Sequence, residues 1–89
     1  MELKEKIFNR NTMYTIYLRD KNQCIYRKST TADKTEAIRD FETLVNRKEL
    51  DGCKILAIIK YQDSPLAFHR FDVSADHPNN LRGKVLKIQ

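Results

Sequence analysis

The sequence has few residues that interrupt secondary structure, with only two glycines and two prolines among its 89 residues. This scarcity argues against a disordered or low-complexity chain. It also excludes a glycine-rich loop, in which backbone N–H groups closely approach phosphate oxygens. No glycine turn lies beside a serine to present it as a nucleophile. The sequence therefore carries no signature of nucleotide hydrolysis or of serine catalysis.

Cysteine and histidine are equally scarce, with two of each. Cys24 and Cys53 are far apart and each lies in an apolar run, which predicts two small, buried hydrophobic side chains. Two isolated thiols also lack the spacing of metal ligands. Polar residues that could bind a metal cluster from His69 to His77. Strand alternation, however, sets His69 and Asp72 on opposite faces. We therefore interpret His69 as a strand residue and the residues after it as a polar turn. We expect no catalytic residue, no metal and no cofactor.

Long hydrophobic runs are absent as well. No segment approaches the roughly 20 apolar residues of a membrane span. The first residues, MELKEKIFNRN, lack the continuous apolar stretch of a signal peptide. We therefore expect a cytoplasmic protein with reduced thiols and no membrane partner.

Positive charge is what the sequence has in excess, with a net charge of +5 and a pI of about 9.4. The excess lies in residues 13–34 and in the tail from Ser74 onward. Such a balance favours an acidic partner, such as nucleic acid or an acidic protein surface. Scattered lysines and arginines that keep a small domain soluble are the alternative interpretation.

Two strand pairs flank one helix in the sequence pattern. Residues 13–19 (MYTIYLR) are aromatic and β-branched and predict a strand, residues 20–23 a hairpin turn, and residues 24–31 the return strand. Residues 53–62 and 66–73 predict a second pair around a turn at 63–65. The third strand is apolar on both alternations, so Leu56 and Ile58 need a cover that the helix does not supply. The N-terminal arm, the C-terminal tail or a second copy of the chain could supply it.

The run from Thr35 to Gly52, TEAIRDFETLVNRKELDG, is the clearest amphipathic pattern. Asp33 or Thr35 is suited to cap its start, and Gly52 to provide a left-handed stop. A helix over about residues 35–47 is predicted because apolar residues recur at helical spacing. The apolar face consists of Ala37, Ile38, Phe41, Leu44 and Val45.

These elements predict an α+β fold, a ββαββ two-layer sandwich with an antiparallel sheet of about four strands. The chain reads as a single domain over residues 1–89, in which residues 1–11 are an arm or a short first element. Residues 79–88 fit a short helix through Leu81, Val85 and Ile88, and the alternation at 85–87 also permits a strand.

Aromatic and basic side chains alternate on the first hairpin and suggest a binding surface. The predicted partner-binding residues are Tyr14, Tyr17, Arg19, Tyr26, Arg27 and Lys28, with Arg70 in support. Lys60, Tyr61 and Phe68 extend this set. Single-stranded nucleic acids are held by basic grooves with aromatic stacking faces, but tyrosine and arginine also dominate protein interfaces. Salt dependence separates the two hypotheses, because phosphate contacts weaken steeply with ionic strength.

Two strings, EAIRDFETLVNRKELDG and LAFHRFD, resemble small uncharacterised proteins of bacterial prophages and integrative elements. The plan of a compact sheet with one helix is also similar to several anti-CRISPR proteins. The resemblance implies a non-enzymatic inhibitor that binds a host protein or nucleoprotein complex and blocks its DNA site or its nuclease. Because the chain is basic, it does not fit the acidic DNA mimics among such inhibitors. A basic nucleic-acid-binding module and a structural homodimer are the alternatives.

Overall fold

The computed structural model describes residues 13–84, which form four strands and one helix. The strands are β1 (Tyr14–Asp20), β2 (Ile25–Thr31), β3 (Ile55–Tyr61) and β4 (Ser64–Arg70). The helix α1 (Lys34–Val45) lies between β2 and β3 and is followed by a 3-10 turn, Lys48–Leu50. The predicted ββαββ order and the α+β class are confirmed. The predicted arm at residues 1–11 lies outside the described residues.

The sheet is antiparallel throughout, with the strand order β2-β1-β3-β4. The two central strands, β1 and β3, pair along their whole length, with Ile16 opposite Ile59 and Leu18 opposite Ala57. The most apolar strand of the sequence is therefore central, as its two-sided pattern predicts. Both edge strands carry an irregular register, β2 opposite Tyr17 and β4 near Pro65. Bulges of this kind discourage pairing with a further strand.

The helix packs its predicted apolar face on one side of the sheet. Asp33 caps its first turn, since its Oδ1 accepts the Glu36 N–H at 3.1 Å. Phe41 is fully buried and belongs to the same hydrophobic core as Ile16 of β1 and Ile59 of β3. The four other members of the predicted face are also buried or packed against the core: Ala37, Ile38, Leu44 and Val45. Helical periodicity thus identified the core face correctly.

Helix α1 ends earlier than predicted, at Val45 with Asn46 as its C-cap. Gly52 does adopt a left-handed conformation, with φ +86°, but it follows the 3-10 turn rather than the helix. The second hairpin turns at Gln62 and Asp63, both with positive φ, instead of at 63–65. A two-residue turn of this kind matches the twist of the flanking strands. Pro65 then lies within β4, an edge strand, where a missing N–H is tolerated.

The tail is the part of the predicted fold that needs correction. Residues 71–84 form turns and bends, so the described part of the predicted helix or strand at 79–88 is neither, and residues 85–88 lie outside the described residues. Leu81 packs against the core. Arg82 holds the tail to the end of α1: its Nε and Nη2 donate to the Val45 carbonyl at 3.1 and 2.8 Å. Long-range bonds, rather than local periodicity, determine this segment.

The prediction that both cysteines are buried is also wrong. Cys24 and Cys53 are free and exposed. Their strands, β2 and β3, begin only at Ile25 and Ile55, so each thiol lies in the preceding turn instead of the apolar run.

Candidate functional site

One face of the sheet points away from α1, and we call it the distal face. Strand alternation assigns residues to it. Ala57 and Ile59 of β3 belong to the core on the helix side, so Ile58 between them points to the distal face. Three rows cross β1, β3 and β4 on this face: Tyr17–Ile58–Phe68, Arg19–Leu56–Arg70 and Thr15–Lys60–Pro65. The described tail packs on the other side, through Leu81 and Arg82.

The aromatic row forms the centre of the distal face. Tyr17 and Ile58 are buried, with 8% and 6% of their surface exposed, whereas Phe68 is 45% exposed. A cavity of about 290 Å³ lies over this row. Its lining residues are Tyr17, Arg19, Leu56, Ile58, Lys60, Asp63, Pro65 and Phe68. The cavity therefore has an apolar floor, one exposed aromatic ring and a charged rim.

The charge around this cavity is mainly positive. Arg19 and Lys60 stand in the rows on either side of the aromatic row, and neither forms an ion pair with another residue of 13–84. Arg70 is different, since its Nε and Nη2 donate to the two carboxylate oxygens of Asp72 at 3.0 Å each. These hydrogen bonds lower the pKa of Asp72. Asp63, in the β3–β4 turn, is the acidic residue of the cavity rim.

The seven predicted partner-binding residues do not share one surface. Tyr14 lies on the helix side, 7% exposed, with its ring centroid 4.5 Å from that of Tyr61. It belongs to the core, and its placement on an exposed face is corrected. The signal was available, because Tyr14 and Tyr17 are three residues apart and odd spacing in a strand puts them on opposite faces. Tyr17, Arg19 and Arg70 do lie on the distal face.

The remaining three predicted residues are exposed on the edge strand β2. Tyr26 lies on the helix side, opposite Leu18, and its hydroxyl donates to Asp20 at 2.6 Å, which raises the pKa of Tyr26 to about 12. Arg27 has a positive φ of 52° in the irregular stretch of β2, next to Lys28. These residues are thus separate from the cavity on the distal face.

Lys60 and Phe68 line the cavity on the distal face, together with Tyr17 and Arg19. The sequence predicts both in an extension of the binding surface, and Phe68 and Arg70 share a face because they are two residues apart in a strand. What the sequence did not reveal is the strand order, which places β3 between β1 and β4 and so brings Lys60 and Phe68 to Tyr17 and Arg19.

The polar groups near His69 serve to attach the tail. His69 has no exposed surface, and its Nδ1 accepts the Leu81 N–H at 2.8 Å. Its Nε2 has no hydrogen-bond partner within the described part of the chain. Burial, followed by the positive charge of Arg82, lowers the pKa of His69 from 6.5 to about 4, so the imidazole is neutral at pH 7. Arg82 in turn pairs with Asp51, with both N–O distances at 2.8 Å.

The polar cluster at 69–77 does not form a metal centre. His77 Nδ1 accepts the Asn79 N–H, and Asp76 accepts from Ser74 at 3.0 Å. Across residues 13–84, no group of three or more histidine, cysteine or carboxylate side chains is close enough to hold a metal ion. His69 is enclosed in the core, whereas both thiols are exposed.

Comparisons with protein-family models, with curated proteins and with solved structures found no match for this chain. Among the residues that the structure describes, no helix has both the length and the apolar character to cross a membrane.

Proposed function

We propose that this chain is a non-enzymatic binding protein that acts by contact between its distal face and a macromolecular partner. The observation that carries the proposal is the cavity of about 290 Å³ on that face, which is lined by the exposed Phe68 ring and by the cationic side chains of Arg19 and Lys60. Exposed aromatic rings and arginines are the residues that contribute most to binding energy at interfaces. Burying Phe68 on binding removes apolar surface from water, while the cations select an acidic partner.

The resemblance to proteins of prophages and integrative elements provides the biological setting of this proposal. In that setting the chain is an anti-defence inhibitor, of the anti-CRISPR kind, and its partner is a host protein or nucleoprotein complex. Inhibition then requires no catalysis, since it is sufficient that the chain occupies the surface of this complex that binds DNA or carries its nuclease.

The binding function is tested by capture from host extract with two charge-matched variants. R19E/K60E reverses both cations of the distal face, and K34E/K48E makes the same change on exposed residues near α1. We expect that a host component is retained by the wild type and by K34E/K48E and is lost with R19E/K60E. Circular dichroism checks that both variants are folded. If every captured component is insensitive to R19E/K60E, the distal face is not the binding surface and the proposal fails.

The biological setting has its own test. In a host whose CRISPR system targets a phage, expression of the wild type and of K34E/K48E is expected to restore plaque formation. R19E/K60E is expected to leave the host protected. A wild-type chain that never restores plaques would refute the anti-CRISPR form of the proposal.

A further inference from the structure

We propose that the partner held by the distal face is single-stranded nucleic acid, with a base stacked on Phe68 and backbone phosphates at Arg19 and Lys60. This inference rests on the proposed function and, of the partners named there, selects the nucleoprotein complex, whose single-stranded nucleic acid the distal face would contact. It is argued from the shape of the cavity, the arrangement of the cations and the exposure of the aromatic ring.

The aromatic row has the dimensions of a stacking platform for a single base. Tyr17 and Phe68 lie two strands apart in the same row, which is about 10 Å at the usual strand spacing. Tyr17 is buried and lines the cavity from below, so Phe68 is the ring that a base can reach. The cavity volume of about 290 Å³ is at the lower limit of about 300 Å³ for small-molecule pockets. It suits one flat group laid against Ile58 and Phe68.

The cations are arranged along a line that a backbone can follow. Arg19 and Lys60 lie in the rows on opposite sides of the aromatic row, each about 7 Å from it along the strand direction. The line that joins them crosses the aromatic row between Tyr17 and Ile58, on β1 and β3. A backbone that follows this line meets a positive charge on each side of the row, and the base between the two phosphates extends toward Phe68 on the neighbouring strand β4. Arg70 contributes less, because Asp72 already neutralises it through two hydrogen bonds.

The rim also limits where a phosphate can lie. Asp63 is acidic and adjoins the cavity at the β3–β4 turn, so it repels phosphate there and can accept a hydrogen bond from the amino group of a base. Single-stranded nucleic acid matches both requirements of the face, since it carries flat apolar bases and a negative charge on each nucleotide. An acidic peptide would neutralise Arg19 and Lys60 but offers no repeated flat group for Phe68. The bases of a duplex are stacked inside it and cannot reach the ring without being flipped out.

The test is fluorescence anisotropy with labelled 12-mers of single-stranded RNA and DNA and the matching duplexes, at 50 and 200 mM salt. We expect single strands to bind, and affinity to fall about 7- to 20-fold between the two salt concentrations, as two or three phosphate contacts require. F68A should weaken single-strand binding by about 5- to 160-fold, the range for loss of one stacked base, while F68W retains it. R19A and K60A should each weaken binding of all sequences and reduce the salt slope by about 0.7. K34A/K48A, on the other side of the sheet, is the control and should bind like the wild type.

Three outcomes would overturn the inference. One is that no single strand binds at 50 mM salt. Another is that F68A has no effect and duplexes bind equally well, which would indicate general attraction to phosphate. The third is that light scattering shows a dimer that F68A or R19E/K60E dissociates, which would assign the distal face to a second copy of the chain.

Two combined results separate this inference from the proposed function. If no oligonucleotide binds but R19E/K60E still abolishes capture of a host component, this inference is refuted and the proposed function stands, with an acidic protein as partner. Oligonucleotide binding that depends on Phe68, with no effect of the chain on plaque formation, would support this inference and remove the anti-CRISPR setting.

Discussion

Arg82 should be a main determinant of stability although it is a charged residue near the chain end. Its guanidinium donates to the carbonyl of Val45, the last residue of α1, and to the carboxylate of Asp51. The last carbonyls of a helix have no partner within the helix, and an arginine can satisfy them. Arg82→Ala removes this donor, and the tail that carries Leu81 loses its attachment to α1.

The magnitude follows from the two groups that Arg82 serves. Val45 is only 4% exposed, and leaving a buried carbonyl unsatisfied costs about 1–3 kcal/mol. The side chain of Asp51 is 49% exposed, so solvent screens its ion pair with Arg82, and this pair contributes less than the bond to the Val45 carbonyl. We expect R82A to lower the free energy of unfolding by about 2–3 kcal/mol and the Tm by about 10–20 °C in a domain of this size.

Urea unfolding followed by circular dichroism at pH 7 measures this loss. Lys84→Ala is the matched control, because Lys84 is a neighbouring exposed cation whose bond within residues 13–84 is to the His77 carbonyl. Its cost should be within about 0.5 kcal/mol of zero. Asp51→Asn separates the ion pair from the carbonyl bond and should cost less than R82A. If R82A were as stable as the wild type, or if D51N cost as much as R82A, the explanation through the Val45 carbonyl would be wrong.

Three further predictions concern acid stability, the two faces of the sheet and the strained edge strand. The pKa of His69 is about 4 in the folded protein, below its ordinary value of 6.5. As the pH falls, the unfolded chain therefore binds a proton at His69 before the folded protein does. The free energy of unfolding decreases between about pH 6.5 and about pH 4, by at most about 3 kcal/mol. Urea midpoints between pH 4 and 7.5 measure the loss, and His69→Asn, whose amide can accept the Leu81 N–H, should flatten it; an equally steep profile in H69N would refute the assignment. Phe41→Ala should lower the free energy of unfolding by about 3–5 kcal/mol because Phe41 is fully buried. Phe68→Ala should lower it by less than about 1 kcal/mol because the Phe68 ring is half exposed. Equal shifts in Tm for the two variants would contradict the assigned faces. Arg27→Gly should raise the free energy of unfolding by roughly 1 kcal/mol, since Arg27 has φ 52° and glycine adopts that conformation without strain. Thermal unfolding measures the change. A lower Tm in the variant would mean that the Arg27 side chain stabilises the fold by its contacts.

The elements of the fold were predictable because their signals are local. Runs of aromatic, β-branched and apolar residues bounded by turns identified the four strands, and spacing of three and four residues identified the buried face of α1 through Phe41 and Leu44. Element boundaries were less accurate. The predicted start of β4 is Leu66, whereas the observed start is Ser64. The difference arises because the turn uses Gln62 and Asp63 in left-handed conformations, which the sequence pattern does not predict.

The candidate site was only partly predictable, for two different reasons. Tyr14 was placed with Tyr17 although alternation separates them, so that error lay in the interpretation and not in the sequence. The roles of Arg82 and His69 had no sequence signal, because their partners Val45, Asp51 and Leu81 lie 37, 31 and 12 residues away.

Local backbone preference and hydrophobic periodicity are properties of neighbouring residues, and they were sufficient to define four strands, one helix and the side of the helix that is buried. The order of the strands depends on pairing between distant segments, and it alone brings Phe68 and Lys60 beside Tyr17 and Arg19. The position of the tail likewise depends on the Arg82 bonds to Val45 and Asp51, which form only when the sheet and α1 are already packed. Contacts across long sequence separations carry no local pattern, and for this reason the distal face and the tail emerge only from the folded chain.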